Sequence, residues 1–202
     1  DIELFGKTVT AKFTVNTDYA ALTARESAGI NKRILTVKDF REAFSLCIDR
    51  TAFTTQFTAA AAPGYGLLNY MYHAILEDGS EACYRNVPAA KQALVNLYGI
   101  EYGEGKDYAT LDQAYAAITG YDMAKAKEKM QAAYDYAVAN NLYADGETVK
   151  IRFSVYQADD IYVQMYEYVK GQLNEAAVGT SLEGKIELEM FVDADYYNTL
   201  YA

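Results

Sequence analysis

Two short stretches, "VKIRFSV" at 149–155 and "KIELEMF" at 185–191, most restrict how this chain can fold. Val149, Ile151, Phe153 and Val155 alternate with polar residues in the first, as do Ile186, Leu188 and Met190 in the second. A period of two places the apolar side chains on one face, which reads as a half-buried strand. Between them, residues 159 to 176 carry Ile161, Met165, Val169 and Leu173 at helical spacing. Two strands linked by such a helix predict a parallel pair with a right-handed crossover. The fold class expected is α/β (mixed α+β), a central mixed sheet flanked by helices, and residues 1–202 are expected to form a single domain.

Further strands and helices fill in around that unit. "TVTAKFTVN" alternates Val9, Ala11, Phe13 and Val15 against polar residues, a strand that would join the same sheet. A long loop follows, with a short helix near "LTARESAG". In "TVKDFREAFSLCIDRTAF", residues 36 to 53, Phe40, Ala43, Phe44, Cys47 and Ile48 form the apolar stripe of a helix. Thr36 and Asp39 are placed to make a weak capping box at its start. Asp49 interrupts the stripe and suits the cap of a second short helix through "RTAFTTQF". Pro63, Gly64 and Gly66 predict a turn leading into an aromatic, extended segment. Pro88 opens a helix that Gly99 closes, and Thr110 caps a brief helix ending near Gly120. Asp122 caps the longest helix, whose stripe is Met123, Ala126, Met130, Ala133, Tyr134, Ala137 and Val138, with Asn140 and Asn141 as its stop.

The chemistry these residues carry is sparse. A formal net charge of −10 over 202 residues repels phosphate backbones, which argues against nucleic-acid partners. One histidine and two distant cysteines do not make a zinc site, and no metal or cofactor is expected. A Cys47–Cys83 disulfide is open to an exported protein, but buried or inert thiols are the expectation. There is no G-x-S-x-G, phosphate loop or H-E-x-x-H, so an enzyme is not expected. Asp159–Asp160 and Asp193 with Asp195 are the acid pairs a carboxylate hydrolase would use, and solvated surface charge is the simpler reading. Twenty tyrosines offer rings with a polar tip, suited to a cleft or to a half-wet surface. Tyr65, Tyr70 and Tyr72 are the candidate ligand contacts, with Asn16 at a strand end as a further one.

Several motifs, taken in order, resemble one family. "DFREAFSLCIDRTAF" is similar to the "VRxALsxAIDRxxi" helix of the oligopeptide- and dipeptide-binding family of extracellular solute-binding proteins of ABC transporters. Ala43, Ile48, Asp49 and Arg50 match, while Phe40-Arg41 stands where the family has Val-Arg and Cys47 replaces a small residue. "AAAAPGYGLL" resembles the "G…PA…g" segment that follows, and "YDMAKAKEKMQAA" looks like "YDPEKAKKLLAEAG" through Tyr121, Asp122, Ala126 and Met130. "KFTVN" ahead of the helix and the strand, helix, strand and "YYNTL" after it keep the family's order, so the resemblance spans nearly all of 9 to 202. The chain departs from the pattern in lacking a glycine after the long helix and the aromatic-rich segment after the last one.

The resemblance implies one lobe of a type II periplasmic-binding-protein-like fold, most of a second lobe cut from a larger two-lobed protein. The unfinished helix beginning near Ala194 fits an excised piece. It further implies a protein that captures an extracellular peptide, or another small solute such as an oligosaccharide or a nickel chelate. That protein would deliver the solute unchanged to the membrane permease, closing on it with the other lobe of the same chain. Localisation would be extracellular or periplasmic, with a lipoprotein anchor outside this sequence. Asp49, Arg50 and Asp122 are then structural: Asp49 caps the next helix and Arg50 braces neighbouring carbonyls or a carboxylate. The competing expectation is a secreted protein–protein interaction domain that uses the tyrosine surface.

Overall fold

The structure, a computed structural model, describes residues 2–4, 7–9, 27–29, 32–58, 63–65 and 70–195. Residues 10–16 of the strand expected over 8–16, Asn16 among them, most of the short helix near 22–29 and the "YYNTL" segment lie outside the described residues. At the N-terminus β1 (Ile2–Leu4) pairs antiparallel with β2 (Lys7–Val9). The fold is mixed α/β.

The crossover is present as expected. β5 (Val149–Val155) and β6 (Ile186–Val192) pair in parallel from Val149↔Ile186 to Val155↔Val192. They are joined by a long helix, Asp160–Ala177. Val149, Ile151, Val155 and Leu188 are buried on the face that period two selects. The described strands nevertheless form three separate pairs, where one central sheet was expected. In a parallel ladder alternate carbonyls point away from the partner strand, among them those of Lys150 and Leu188. Lys32 N–H donates to the first at 3.2 Å and Tyr166 Oη–H to the second at 2.6 Å. These two outward acceptors are thus taken by a loop and by a helix.

The helices bury stripes that the sequence marks. α1 (Lys38–Leu46) and α2 (Arg50–Phe57) flank the Cys47–Asp49 corner. α3 (Pro88–Leu97) carries proline in its first turn, and α4 (Leu111–Ala116) begins at a full capping box of Thr110 and Gln113. α5 (Met123–Ala139) ends where Asn141 adopts φ 57°, the left-handed stop that asparagine tolerates. α6 is the crossover helix Asp160–Ala177. Phe40, Ala43 and Cys47 of the first helical corner meet Ala126, Met130, Ala133 and Ala137 of α5 over the sheet residues Val149, Ile151 and Leu188. The alanines let α1 and α5 approach closely, and Val169 and Leu173 of α6 close the core.

Three local expectations are corrected. α1 starts at Lys38, with Val37 as an N-cap that makes no side-chain bond. Thr36 instead sits in a 3-10 turn, Arg33–Thr36, and its hydroxyl donates to the Arg33 carbonyl at 2.8 Å. Arg41 fixes that turn by donating to the Leu35 and Thr36 carbonyls at 3.1 and 2.6 Å. In α6 burial is concentrated from Val169 onward, and Ile161 stays exposed. The extended aromatic segment after Pro63 includes a hairpin of β3 (His73–Ile75) and β4 (Glu81–Cys83). Asp78 turns it by accepting from the Ser80 N–H at 2.9 Å, and Gly79 takes φ 82°.

A second, smaller core lies apart from the first. Val95, Ala114 and Ile118 are buried among Tyr65, Leu94, Tyr98, Ile100 and Tyr115. It gathers α3, α4 and their connecting loop. None of the described helices is long and apolar enough to cross a membrane.

Candidate functional site

An open cleft of about 630 Å³ runs between the two cores. On one wall Lys38, Glu42 and Ser45 lie at i, i+4 and i+7 along α1, so they share a face. On the next, Asp122, Lys125 and Lys129 lie at i, i+3 and i+7 from the N-cap into the start of α5. The opposite wall comes from the end of α3 and the segment after α4: Leu97, Ile100, Ile118 and Tyr121, with the polar Asn96 and Thr119 among them. Leu97 is 67 % exposed there.

The floor is a join between helix ends. The Asp122 N–H donates to the Leu46 carbonyl at 3.0 Å, satisfying one of the last acceptors of α1. Its carboxylate accepts from the Lys125 N–H at 2.9 Å, capping α5. Asp49 caps α2 through the Ala52 N–H at 2.9 Å, and its carbonyl accepts from Tyr168 Oη–H at 3.1 Å. Arg50 reaches across the join. Its guanidinium donates to the hydroxyls of Ser45 and Tyr98 and stands 5.8 Å from the Tyr65 ring centroid. The partners expected of Arg50 were carbonyls or a carboxylate; hydroxyls and a ring take that role.

Charge in the cleft is largely paired. Lys129 Nζ is 2.6 Å from Asp39 and 2.8 Å from Glu42, and Lys38 Nζ is 3.1 Å from Glu42. The Lys129 ammonium, then that of Lys38, holds the Glu42 carboxyl below its ordinary value despite partial desolvation. The bonds from Asp39 and Glu42 in turn raise Lys129. Lys125 has no ion-pair partner among the described residues.

The structure separates the tyrosines singled out by the sequence. Tyr65 packs edge-on against Tyr98, 6.3 Å between centroids, behind the cleft wall. Tyr70 and Tyr72 stand before the hairpin, 72 % and 54 % exposed, away from the cleft lining. Nothing in the sequence marked Leu97, and for Lys125 the i, i+4 pair with Lys129 is the signal that could have found it.

Other groups are placed elsewhere. Asp159 caps α6 through the Tyr162 N–H at 3.1 Å, and Asp193 accepts from the Asp195 N–H at 2.9 Å, which gives both acids backbone partners. His73 Nδ1 lies 3.7 Å from Glu81 on the hairpin. Among the described residues no cluster of three His, Cys, Asp or Glu could hold a metal ion. Cys47 and Cys83 are free thiols, and burial pushes Cys47 up to about 12.

Fold and cleft together define a mixed α/β chain with a polar-walled groove between a larger and a smaller core. No protein-family model, no curated protein and no solved structure matches the chain.

Proposed function

We propose that the chain is one lobe of an extracellular solute-binding protein of an ABC transporter, of the oligopeptide- and dipeptide-binding type. It would grip a peptide or similar small solute and pass it to a permease without altering it. The observation that carries this reading is the open cleft at the join of α1, α2 and α5, held by Asp49, Arg50 and Asp122. Those are the positions at which the sequence resembles the family, and the parallel β5–α6–β6 unit follows in the family's order. A cleft of this volume suits a solute of a few residues or rings. Its walls come from two cores, an arrangement in which small relative movements change the fit.

Thermal unfolding of the whole two-lobed protein with separate di- and tripeptide, oligosaccharide and nickel-chelate pools tests it, because one lobe by itself should bind weakly or not at all. One pool should raise the midpoint, and a ligand at 100 times its dissociation constant adds about 2.7 kcal/mol. New amino or reducing ends released from a pool, or no shift with any pool, would overturn the proposal. A secreted interaction domain is the second reading, favoured by exposed Tyr70, Met71, Tyr72 and Ile75 around the hairpin. Substituting Tyr70 and Tyr72 by Ser leaves solute binding intact in the first reading and abolishes partner binding in the second.

A further inference from the structure

We infer that the β3–β4 hairpin docks a partner protein, taking an extended segment of alternating basic and apolar residues as a third strand beside β3. The hairpin lies outside the cleft lining, so this inference stands apart from the solute-binding reading. Its first support is the backbone. The Tyr84 N–H donates to the Tyr72 carbonyl and the Leu76 N–H to the Ser80 carbonyl, both at 2.8 Å, and Ala74 sits opposite Ala82 between them. Antiparallel pairing alternates, so Tyr72, Ala74 and Leu76 turn their backbone toward β4, while His73 and Ile75 turn theirs outward. Among the described residues nothing bonds those outward N–H and C=O groups. No other described helix or strand makes more than a slight contact with the hairpin. A two-stranded ribbon standing alone is marginal in water, and an unpaired edge is a template for a further strand.

The second support is the difference between the two faces of the ribbon. Tyr72, Ala74, Leu76 and Ala82 share one face, which is wholly apolar, and Tyr72 is exposed on it. The other face carries exposed Ile75 directly opposite Glu81. Glu77 and Asp78 are exposed at the turn beside it. None of these three carboxylates pairs with a Lys or Arg among the described residues, and residues 70–83 contain neither. His73, 3.7 Å from Glu81, is the one basic side chain of the hairpin, and the next along the chain, Arg85, lies against Gly64. A third strand of alternating Lys and apolar residues meets both faces at once. Its apolar side chains would cover Tyr72, Ala74 and Leu76, and its lysine stems would cross Ile75 to bring their ammonium groups to Glu81. A second copy of the chain, with net charge −10, would bring more acid to this edge.

The test uses the capped peptide Ac-Lys-Val-Lys-Val-Lys-Val-NH2 and its analogue with Glu in place of Lys. Each is titrated into the chain and read by NMR shifts and amide exchange. The basic peptide should shift residues 70–83 and bind at least about tenfold more tightly than the acidic one. It should also slow exchange of the His73 and Ile75 amides severalfold, because a third strand occupies the outward N–H groups and simple charge attraction does not. Glu77→Lys combined with Glu81→Lys should reverse the preference between the peptides. His73→Pro removes an outward N–H without touching the bonds to β4, and should weaken binding of the basic peptide at least about tenfold. Equal binding of the two peptides, shifts that map elsewhere, or unprotected His73 and Ile75 amides would overturn the inference. Hairpin shifts that grow with the concentration of the chain alone would assign the edge to a second copy, and shifts with phosphatidylcholine vesicles to a membrane; either overturns it. The peptide comparison and the exchange measurement on the unmodified chain decide the matter even where a substituted chain does not fold. None of these outcomes bears on solute binding in the cleft.

Discussion

Through its backbone N–H, Asp122 meets the end of α1, and through its carboxylate the start of α5, so one residue serves two helix termini. Only the second link uses the side chain. Asp122→Ala should therefore cost about 1 kcal/mol, the usual worth of an N-cap, and Asp122→Asn almost nothing, both read by urea unfolding. A loss near zero for alanine would mean that water caps α5 equally well. Two residues earlier, Gly120 is buried and holds φ 65°, a conformation that other residues adopt only with strain. A Cβ there would stand 2.6 Å from Arg50 Nη1 and 2.9 Å from Tyr65 Cδ1. Gly146 has φ 88° but open space around it. Gly146→Ala should thus cost about 1 kcal/mol from backbone strain alone, and Gly120→Ala about 1–3 kcal/mol more because Arg50 and Tyr65 must move. Parallel denaturation of the two variants checks the difference.

The contact between α1 and α5 has a polar edge whose strength depends on pH. Glu42 is held below its ordinary 4.5 by the Lys129 bond first, and Lys129 is raised above its ordinary 10.5 by Asp39 and Glu42. The Glu42 contribution is complete above pH 4.5 and disappears as pH falls through its lowered value. The Lys129 contribution is complete below pH 10.5 and disappears as pH rises through its raised value. Melting midpoints recorded from pH 7 down to about pH 3 should fall for the unmodified chain and fall less steeply for Lys129→Met. Equal slopes in the two would show that other carboxylates carry the acid limb. Sequence periodicity marked these elements well where a long apolar stripe repeats, as in α5, α6, β5 and β6. It failed at Thr36, whose hydroxyl chose the Arg33 carbonyl over a helix N–H, because short polar side chains have several local acceptors in reach. It also passed over the β3–β4 hairpin, whose strands of three residues are too short for period two to register. The cleft was hidden for a different reason: Lys38, Glu42 and Lys125 sit on polar faces that read as ordinary solvated helix surface, and only the folding of α3 and α4 opposite them makes a groove.

Across the whole molecule, the link between the two cores is thin. Across it Tyr98 accepts from Arg50 at 3.3 Å and the Thr51 and Tyr65 hydroxyls stand 3.4 Å apart, while the Tyr98 hydroxyl donates to the Tyr65 carbonyl at 3.4 Å within the smaller core. These are long hydrogen bonds, and each is worth about 0.5–1.5 kcal/mol at best. The larger core, with its buried helix and sheet stripes, should open only on global unfolding, and the smaller one by local opening. The two thiols report on this, since Cys47 is buried in the larger core and Cys83 is partly exposed on the hairpin. Iodoacetamide should label Cys83 in the native chain, and Cys47 only at the rate at which the larger core opens, its thiol being pushed up to about 12 by burial. Tyr98→Phe removes the hydroxyl and keeps the ring. Amide exchange at Val95, Ala114 and Ile118 should then accelerate severalfold, as a loss of about 1 kcal/mol requires, while exchange at Met130 and Leu173 and labelling of Cys47 stay unchanged. Acceleration at all of these sites together would mean that the cores unfold as one unit, and the cleft would then be a fixed groove instead of a joint between two bodies.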